Sequence, residues 1–311
     1  MLALPQDVEV ALRQLLSVVR SEPYQQFASG GAAYKDDASV VKQIAGLLYA
    51  TWYCAETEKQ TAEVKLGRDD LVAALRASVA SSTRYQQMWV VMRSEHNGTC
   101  LAGYQNQTRE FRPGEYANVS RPGLPLAPGD AIAATECLQW LDAPSGFWYH
   151  QSPAGGPADP LVRLYCNTSY DRVGFVLREL TRAMDSQRVP YLLKCPSKAS
   201  NYARVDSLIV YLERAQWPKL AQKIKPVVRR FTNCLREKNP PLTQRIARGV
   251  GFAEDPGNKE SFGESRCRAL ACGVVSLLSY KPASTEDAMV ILVNALRAAG
   301  IDPKRPWRSP K

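Results

Sequence analysis

The chain has 311 residues, of which 45% are hydrophobic and 23% charged, a composition typical of a globular protein with a large core. No stretch approaches the roughly 20 consecutive apolar residues that a membrane-spanning helix needs, so we expect no membrane partner. The N-terminus reads MLALPQDVEV and lacks the basic and then apolar pattern of a signal peptide. We therefore expect no export signal and a cytoplasmic location.

The net charge of +10 results from 40 Lys and Arg against 30 Asp and Glu, which favours an anionic partner. Either a functional anion site or a generally basic solvated surface would account for this charge. The chain has no zinc-finger spacing, no ribonucleoprotein aromatic motif and no long Lys/Arg block. We therefore expect no nucleic-acid partner.

The first part of the chain is predicted to be helical. Apolar residues recur at three- and four-residue spacing over 6–20 and 37–54, as amphipathic helices require. A third helix is predicted to begin near Asp69 or Asp70 and to include LVAALRASVASSTRYQQMWVVM. These patterns define an N-terminal helical region over residues 1–96.

The second predicted region covers 97–311 and is either separate from the helical region or one continuous globular unit with it. Weak alternation broken by Pro and Gly predicts short strands after residue 97. The segment DAPSGFWYHQSPAGGPADP at 142–160 is predicted to be a loop.

The organisation is clearest in the middle of this region, where periodicity predicts a strand, a helix and two more strands. The strands cover 161–169, 189–196 and 206–213, and the helix covers 171–187. We expect the three strands to belong to one sheet. The next segment, PKLAQKIKPVVRRFTNCLREK, is predicted to be a basic helix that Pro226 interrupts or kinks.

Two closing helices are predicted to begin near Phe262 and Thr285. The predicted fold class is therefore α+β, with an N-terminal helical region, a central mainly antiparallel sheet and closing helices packed on one face of it.

The start of the first closing helix is a candidate anion site. Ser261 and Glu264 have the S-x-x-E spacing of a capping box, and the amides of a helix start attract anions. Arg266 offers a bidentate fork that suits phosphate, whereas Arg268 faces another side of the helix as a second candidate. Alternatively, Arg266 is a surface residue or forms an ion pair with a nearby carboxylate.

Several motifs follow one another in the second region: LVRLYCN, VPYLLKCPSKASNYARVDSLIVYL, GVGFAEDP, SFGESRCRALA and AAGIDPKRPW. In this order they resemble the motifs of the Hop-A type III effector family over roughly residues 145 to 308. That family includes bacterial lyases of class V lanthipeptide and thioamitide biosynthesis. The resemblance implies a fold that serves two functions, modification of a peptide and binding in a host cell.

In the peptide-modifying branch, a kinase resembling aminoglycoside phosphotransferases phosphorylates Ser or Thr of a ribosomal precursor peptide. The Hop-A-like protein then eliminates the phosphate and leaves dehydroalanine or dehydrobutyrine. In the plant-pathogen branch the same fold acts in a host cell by binding. Elimination requires a base near the α-proton, stabilisation of the enolate and cations for the phosphate, and we expect neither a metal nor another cofactor.

Lys194 is the candidate base, because the Leu and Cys residues beside it would remove water from its amine. Alternatively, its head group leaves the strand end for solvent; the matching lysine of the family favours the first interpretation. Tyr202, Arg204 and Asp206 alternate and would share one face of a strand. Arg204 would bind phosphate and Asp206 would orient Arg204 or Lys194, or the two would form a local ion pair.

Arg163 is a secondary phosphate-binding candidate, and Tyr165 on the same strand face is either a proton donor or a core residue. Related sequences commonly place a histidine where this chain has Ser265. The general acid is therefore open, with His150 and Tyr202 as candidates.

The predicted function is a lyase that removes phosphate from phospho-Ser or phospho-Thr of a ribosomal precursor peptide, with the peptide and its kinase as partners. The alternative is a non-catalytic effector or scaffold that binds a host protein or presents the precursor to the kinase.

Overall fold

The computed structural model describes residues 4–28, 38–55, 67–79, 83–104, 107–257 and 260–309. Within these ranges the helices are α1 (Gln6–Val19), α2 (Glu22–Gln25), α3 (Ala38–Leu48), α4 (Arg68–Ser78), α5 (Val173–Asp185), α6 (Trp217–Phe231), α7 (Phe262–Tyr280) and α8 (Thr285–Ala298). A π-helical turn, Tyr49–Tyr53, follows α3, and a 3-10 turn, Ala199–Ala203, precedes the strand that begins at Leu208.

The strands of the described ranges form two antiparallel sheets. They are β1 (Thr83–Ser94), β2 (Cys100–Tyr104), β3 (Gln107–Phe111), β4 (Tyr116–Asn118), β5 (Ala131–Cys137), β6 (Gln139–Asp142), β7 (Phe147–Gln151), β8 (Leu161–Cys166), β9 (Tyr191–Pro196), β10 (Leu208–Glu213), β11 (Gln244–Ala247) and β12 (Val250–Glu254). The smaller sheet has the order β3-β2-β1-β5-β4, and the larger has the order β11-β12-β8-β10-β9-β7-β6. The structure thus confirms the predicted α+β class.

The larger sheet lies between two layers of helices. Val162, Leu164 and Val210 belong to the core that the sheet forms with α4, α5 and α6. Tyr165 and Ile209 point to the opposite face, where α1, α3, α7 and α8 form a second core. Strands covered on both faces are apolar at nearly every position, which explains the sequence LVRLYC of β8.

The predicted strand, helix, strand and strand order is confirmed by β8, α5, β9 and β10. The last strand inserts between the first two, because β10 pairs antiparallel with both β8 and β9. The closing helices begin at Phe262 and Thr285, as predicted. Among the described residues, no helix combines the length and apolar character needed to cross a membrane.

The predicted third helix is too long, because α4 ends at Ser78 and β1 begins at Thr83. Trp89 and Val91 of this segment are buried in the core of the smaller sheet, whereas Val90 between them is exposed. This two-residue period and the β-branched and aromatic side chains are typical of a strand with one buried face. Strands therefore begin before residue 97.

Two further predictions need correction. The segment 142–160 is not entirely a loop, because it contains β7, in which Trp148 and His150 are buried. Helix α6 runs without interruption through Pro226 and ends at Phe231, so of the two predicted outcomes, an interruption or a kink, the interruption is absent. Leu220, Ile224 and Val228 bury one side of it, and this packing holds the helix across the proline.

The turn between β11 and β12 depends on Gly249. Its φ is +65°, and a Cβ there would lie 2.2 Å from the carbonyl oxygen of Arg236. We expect Gly249→Ala to lower the free energy of unfolding by about 3 kcal/mol or more, from left-handed strain and steric overlap together. Gly257→Ala is the matched control, because φ is +80° and no described atom lies within 4 Å of its Cβ position. Gly257→Ala should lower the free energy of unfolding by about 1 kcal/mol. Equal losses for the two variants in chemical denaturation would contradict the steric explanation.

Candidate functional site

A cavity of about 300 Å³ lies over the face of the larger sheet that α3 and α7 cover. Tyr165, Ile209 and Lys194 are direct cross-strand neighbours on β8, β10 and β9, and residues paired in this way share one face. Arg163 lies two residues before Tyr165 and points to the same side. All four side chains line the cavity.

The helical wall of the cavity comes from the start of α7 and the π-helical turn after α3. The Ser261 hydroxyl accepts a hydrogen bond from the Glu264 amide at 3.1 Å, and the Ser261 amide donates to the Glu264 carboxylate at 2.7 Å. The predicted capping box is therefore confirmed. Gly263, between these residues, also lines the cavity, as do Tyr49 and Tyr53.

Arg204 is held at the cavity by a buried carboxylate. Its Nε and Nη2 atoms donate to the two oxygens of Asp206 at 2.8 and 2.9 Å, and Nη2 also donates to the Tyr49 hydroxyl at 3.2 Å. Burial lowers the pKa of Arg204, but the hydrogen bonds and charge of Asp206 outweigh it and raise the pKa overall. Arg204 is therefore a permanent cation, and its Nη1 atom has no hydrogen-bond partner among the described residues.

Arg163 is arranged in the same way. Its Nε atom donates to Asp255 at 2.7 Å, and Nη2 contacts the same carboxylate oxygen. Burial lowers its pKa, but neighbouring Tyr165, Tyr211 and Asp255 raise it by more. In the described part of the chain its Nη1 atom makes no hydrogen bond, so both arginines keep one donor edge for a ligand.

Lys194 differs from the two arginines. Its Nζ atom lies 4.7 Å from the centre of the Phe147 ring and 5.8 Å from that of Tyr211. No described carboxylate forms a salt bridge with it. The residue is half-buried and lines the cavity.

Residues 144–308 match the family described as "HopA1 effector protein family". The chain belongs to this family. The match includes Arg163, Lys194 and Arg204, together with β7 to β12 and α5 to α8. No curated protein matches the chain.

Two solved structures of effector proteins are similar to it. The effector protein from Pseudomonas syringae pv. tomato strain DC3000 has a TM-score of 0.51 and 12% sequence identity, over 92% of this chain and 100% of that chain. The effector protein from Pseudomonas syringae pv. syringae strain 61 has a TM-score of 0.46 and 15% identity, over 88% and 97%. At 12% identity, the similarity to the first of these structures shows a shared fold and nothing more.

Arg266, in the SFGESR motif, does not face the cavity. It is fully buried, and its guanidinium donates to the carbonyl oxygens of Pro306 at 2.8 Å and Arg308 at 2.5 Å and to the Ser265 hydroxyl at 3.1 Å. Burial lowers its pKa to about 10. Its predicted role at the helix start is therefore contradicted: Arg266 attaches the C-terminal segment to α7.

Arg268 also lies outside the cavity. It forms two hydrogen bonds of 2.8 Å with the Glu260 carboxylate, on the exposed side of α7. It borders a neighbouring groove between α3, α7 and α8. The expectation that Arg268 and Arg266 face different sides is confirmed, but neither guanidinium lines the cavity.

Tyr202 and His150 lie in the other core. Residues 199–203 form a 3-10 turn instead of a strand, so the expected alternation with Arg204 fails and Tyr202 packs on the α5 side of the sheet. His150 follows Tyr149, the neighbour of Lys194, and so points to the opposite face. Burial lowers its pKa to about 4, and its Nε2 atom lies 3.1 Å from the Tyr191 hydroxyl.

Tyr49 and Tyr53 line the cavity but were not predicted as site residues from the sequence. Their rings stack with centroids 5.5 Å apart, because both belong to the π-helical turn that ends α3. Such turns are frequent at functional sites. The signal in the sequence is two tyrosines four positions apart in YATWY at the end of an apolar helix, a pattern that also suits an ordinary core.

We expect Arg266→Met to lower the free energy of unfolding by about 3 kcal/mol or more, since it leaves the buried carbonyl group of Pro306 and the partly buried one of Arg308 without a donor. Arg268→Ala removes only an exposed ion pair and should cost less than about 1 kcal/mol. Thermal and urea unfolding of both variants checks this difference. Equal stabilities would contradict the anchoring role of Arg266.

Proposed function

We propose that this chain is a phosphoserine/phosphothreonine lyase that acts on a ribosomal precursor peptide. The observation that supports it most is the convergence of Lys194, Arg163 and Arg204 on one cavity. Elimination needs a base beside cations that hold the leaving phosphate. The family match is consistent with this activity without specifying it.

The reaction follows from this arrangement. The neutral amine of Lys194 takes the α-proton of the phosphorylated residue, and the electron pair left on Cα forms the double bond to Cβ. The Cβ–O bond breaks, and phosphate leaves with that electron pair. The products are a dehydro residue, inorganic phosphate and a protonated Lys194, while Arg163 and Arg204 stabilise the charge that develops on the phosphate.

The arginines are suited to this role because their carboxylate partners fix them before the ligand arrives. Asp206 is buried and holds two nitrogens of Arg204, and Asp255 holds two of Arg163. A donor that is already oriented loses little side-chain entropy when the phosphate binds. The chemistry of the substrate also requires a second partner, a kinase that phosphorylates the peptide beforehand.

A groove of about 1030 Å³ offers room for the peptide on one side of the phosphorylated residue. It shares Tyr49 and Glu264 with the cavity, so the two are contiguous. Its walls carry mainly small side chains from α3, α7 and α8, including Ala45, Gly46 and Ala295. An extended backbone could approach these walls closely.

The second candidate function is recognition without turnover. The similar solved structures are effector proteins, and cations held by carboxylates would also bind a phosphorylated protein that is not altered afterwards. The two functions differ in one observable, the release of inorganic phosphate.

We expect purified wild-type protein to remove one phosphoric acid from a phosphothreonine peptide, and Lys194→Met to be at least about 100-fold slower, because it lacks the base. Intact mass and phosphate release measure this loss. Lys198→Met is the matched control, since Lys198 is exposed in the same segment and does not line the cavity.

The loss of phosphoric acid from the peptide should not depend on adding the cognate kinase once the peptide carries phosphate. If wild-type protein binds the phosphopeptide but leaves its mass unchanged, with the kinase present as well, the lyase proposal is wrong and recognition is the function.

A tryptophan in the groove should obstruct the peptide but not free phosphate. Gly46 is suited to this test because no described atom lies within 4 Å of its Cβ position. We expect Gly46→Trp to raise KM for the phosphopeptide about tenfold while the affinity for inorganic phosphate stays unchanged, the pattern of lost ground-state binding. Gln43→Trp is the control on the same helix, outside the groove; equal KM values for the two variants would contradict this peptide path.

A further inference from the structure

The Tyr53 hydroxyl is a buried polar group without a hydrogen-bond partner among the described residues. Tyr53 is 1% exposed, so its hydroxyl is shielded from bulk solvent. A buried hydroxyl that makes no hydrogen bond costs about 1–3 kcal/mol relative to a bonded one. A phenylalanine would fill the same space without this cost, which suggests that the hydroxyl serves another purpose.

Tyr53 belongs to the wall of the cavity, and its hydroxyl is surrounded by other residues of that wall. Tyr53 lines the cavity, and the groups whose charges act on its hydroxyl include Tyr165, Asp206 and Tyr49, which line it too. The Tyr165 hydroxyl is close enough for the two groups to influence each other's pKa, but the pair does not meet the geometry of a hydrogen bond.

The ring of Tyr53 is fixed by its neighbours. It stacks on Tyr49 and lies 6.3 Å from the Phe262 ring, measured between centroids. A Cβ on Gly263 would lie 2.3 Å from the Tyr53 ring. The glycine in the first turn of α7 therefore permits this close contact. The Tyr53 ring would lose the contact with Gly263 if it turned its hydroxyl toward another part of the protein.

We propose that the Tyr53 hydroxyl donates a hydrogen bond to the phosphate ester that the cavity binds, at the oxygen that leaves in the elimination. This inference rests on the proposed function and adds to it a donor that His150 and Tyr202 do not supply from their positions in the other core. Burial raises the pKa of Tyr53 well above its usual range, so the phenol keeps its proton and remains a donor at neutral pH.

The position of Tyr53 complements the arginines. Arg163 and Arg204 form ion pairs with carboxylates beside the sheet. Tyr53 belongs to the helical wall of the cavity, next to the start of α7. A neutral donor here stabilises charge that develops on the leaving oxygen, without adding another cation that would bind the ground state equally well.

The experiment compares Tyr53→Phe with Tyr202→Phe. The Tyr202 hydroxyl is also buried without a hydrogen-bond partner in the described part of the chain, but it lies in the other core beside Cys195. Neither variant removes a hydrogen bond found within the described residues, so both should fold, with a Tm equal to or above that of wild type. The probes are inorganic phosphate, with Kd from calorimetry, and a phosphothreonine peptide, with phosphate release measured over time.

We expect Tyr53→Phe to lower the rate of phosphate release about 10- to 100-fold and to weaken phosphate binding about fivefold, while Tyr202→Phe matches wild type. Unchanged release and binding by Tyr53→Phe would overturn the inference and leave the lyase proposal intact. Equal losses in both variants would also overturn it, since they would reflect buried hydroxyls in general. A wild-type protein that neither binds nor releases phosphate would overturn the proposed function and the Tyr53 inference together.

Discussion

The pairing of Arg204 with Asp206 is the interaction on which the candidate site depends. Asp206 is 4% exposed, and a carboxylate this deeply buried is tolerated only when a cation and good hydrogen-bond geometry compensate for its lost hydration. The bidentate contact provides both, and it fixes the guanidinium at the edge of the cavity. Arg163 on β8 forms a similar pair with Asp255, which follows β12, through one carboxylate oxygen. The arginine that permits burial of Asp206 is therefore itself oriented as a donor that a phosphate would meet.

The SFGESR and IDPKRPW motifs meet in space for a structural reason. Arg266 from the first motif binds two carbonyl groups of the C-terminal segment, and that segment reaches β12 through hydrogen bonds between Glu254 and both Trp307 and Ser309. The arginine therefore stabilises the helix whose first turn forms one wall of the cavity. Asp255, next to Glu254, holds Arg163, so the anchored segment and the site share one strand end.

Much of the fold could be predicted from the sequence, because periodicity and caps are local signals. The strands and helices between 161 and 213 and the capping box of Ser261 follow from patterns a few residues long. The site was predicted only in part. Lys194 and Arg204 occur in motifs, whereas the departure of Tyr202 from the strand pattern and the π-helical turn of Tyr53 depend on tertiary packing, which overrides local propensity. Whether an arginine meets a ligand or a carbonyl group is likewise decided by contacts distant in sequence.

The most direct test of the proposed site is a crystal structure of the Lys194→Met variant with a phosphothreonine peptide. Without the base, the peptide should stay intact in the crystal. We expect the phosphate to lie between Arg163 and Arg204, within hydrogen-bond distance of the Tyr53 hydroxyl, and the peptide backbone to leave along the groove beside Gly46. Phosphate bound elsewhere on the protein, with the cavity unchanged from the free protein, would contradict the assignment of this cavity as the phosphate site.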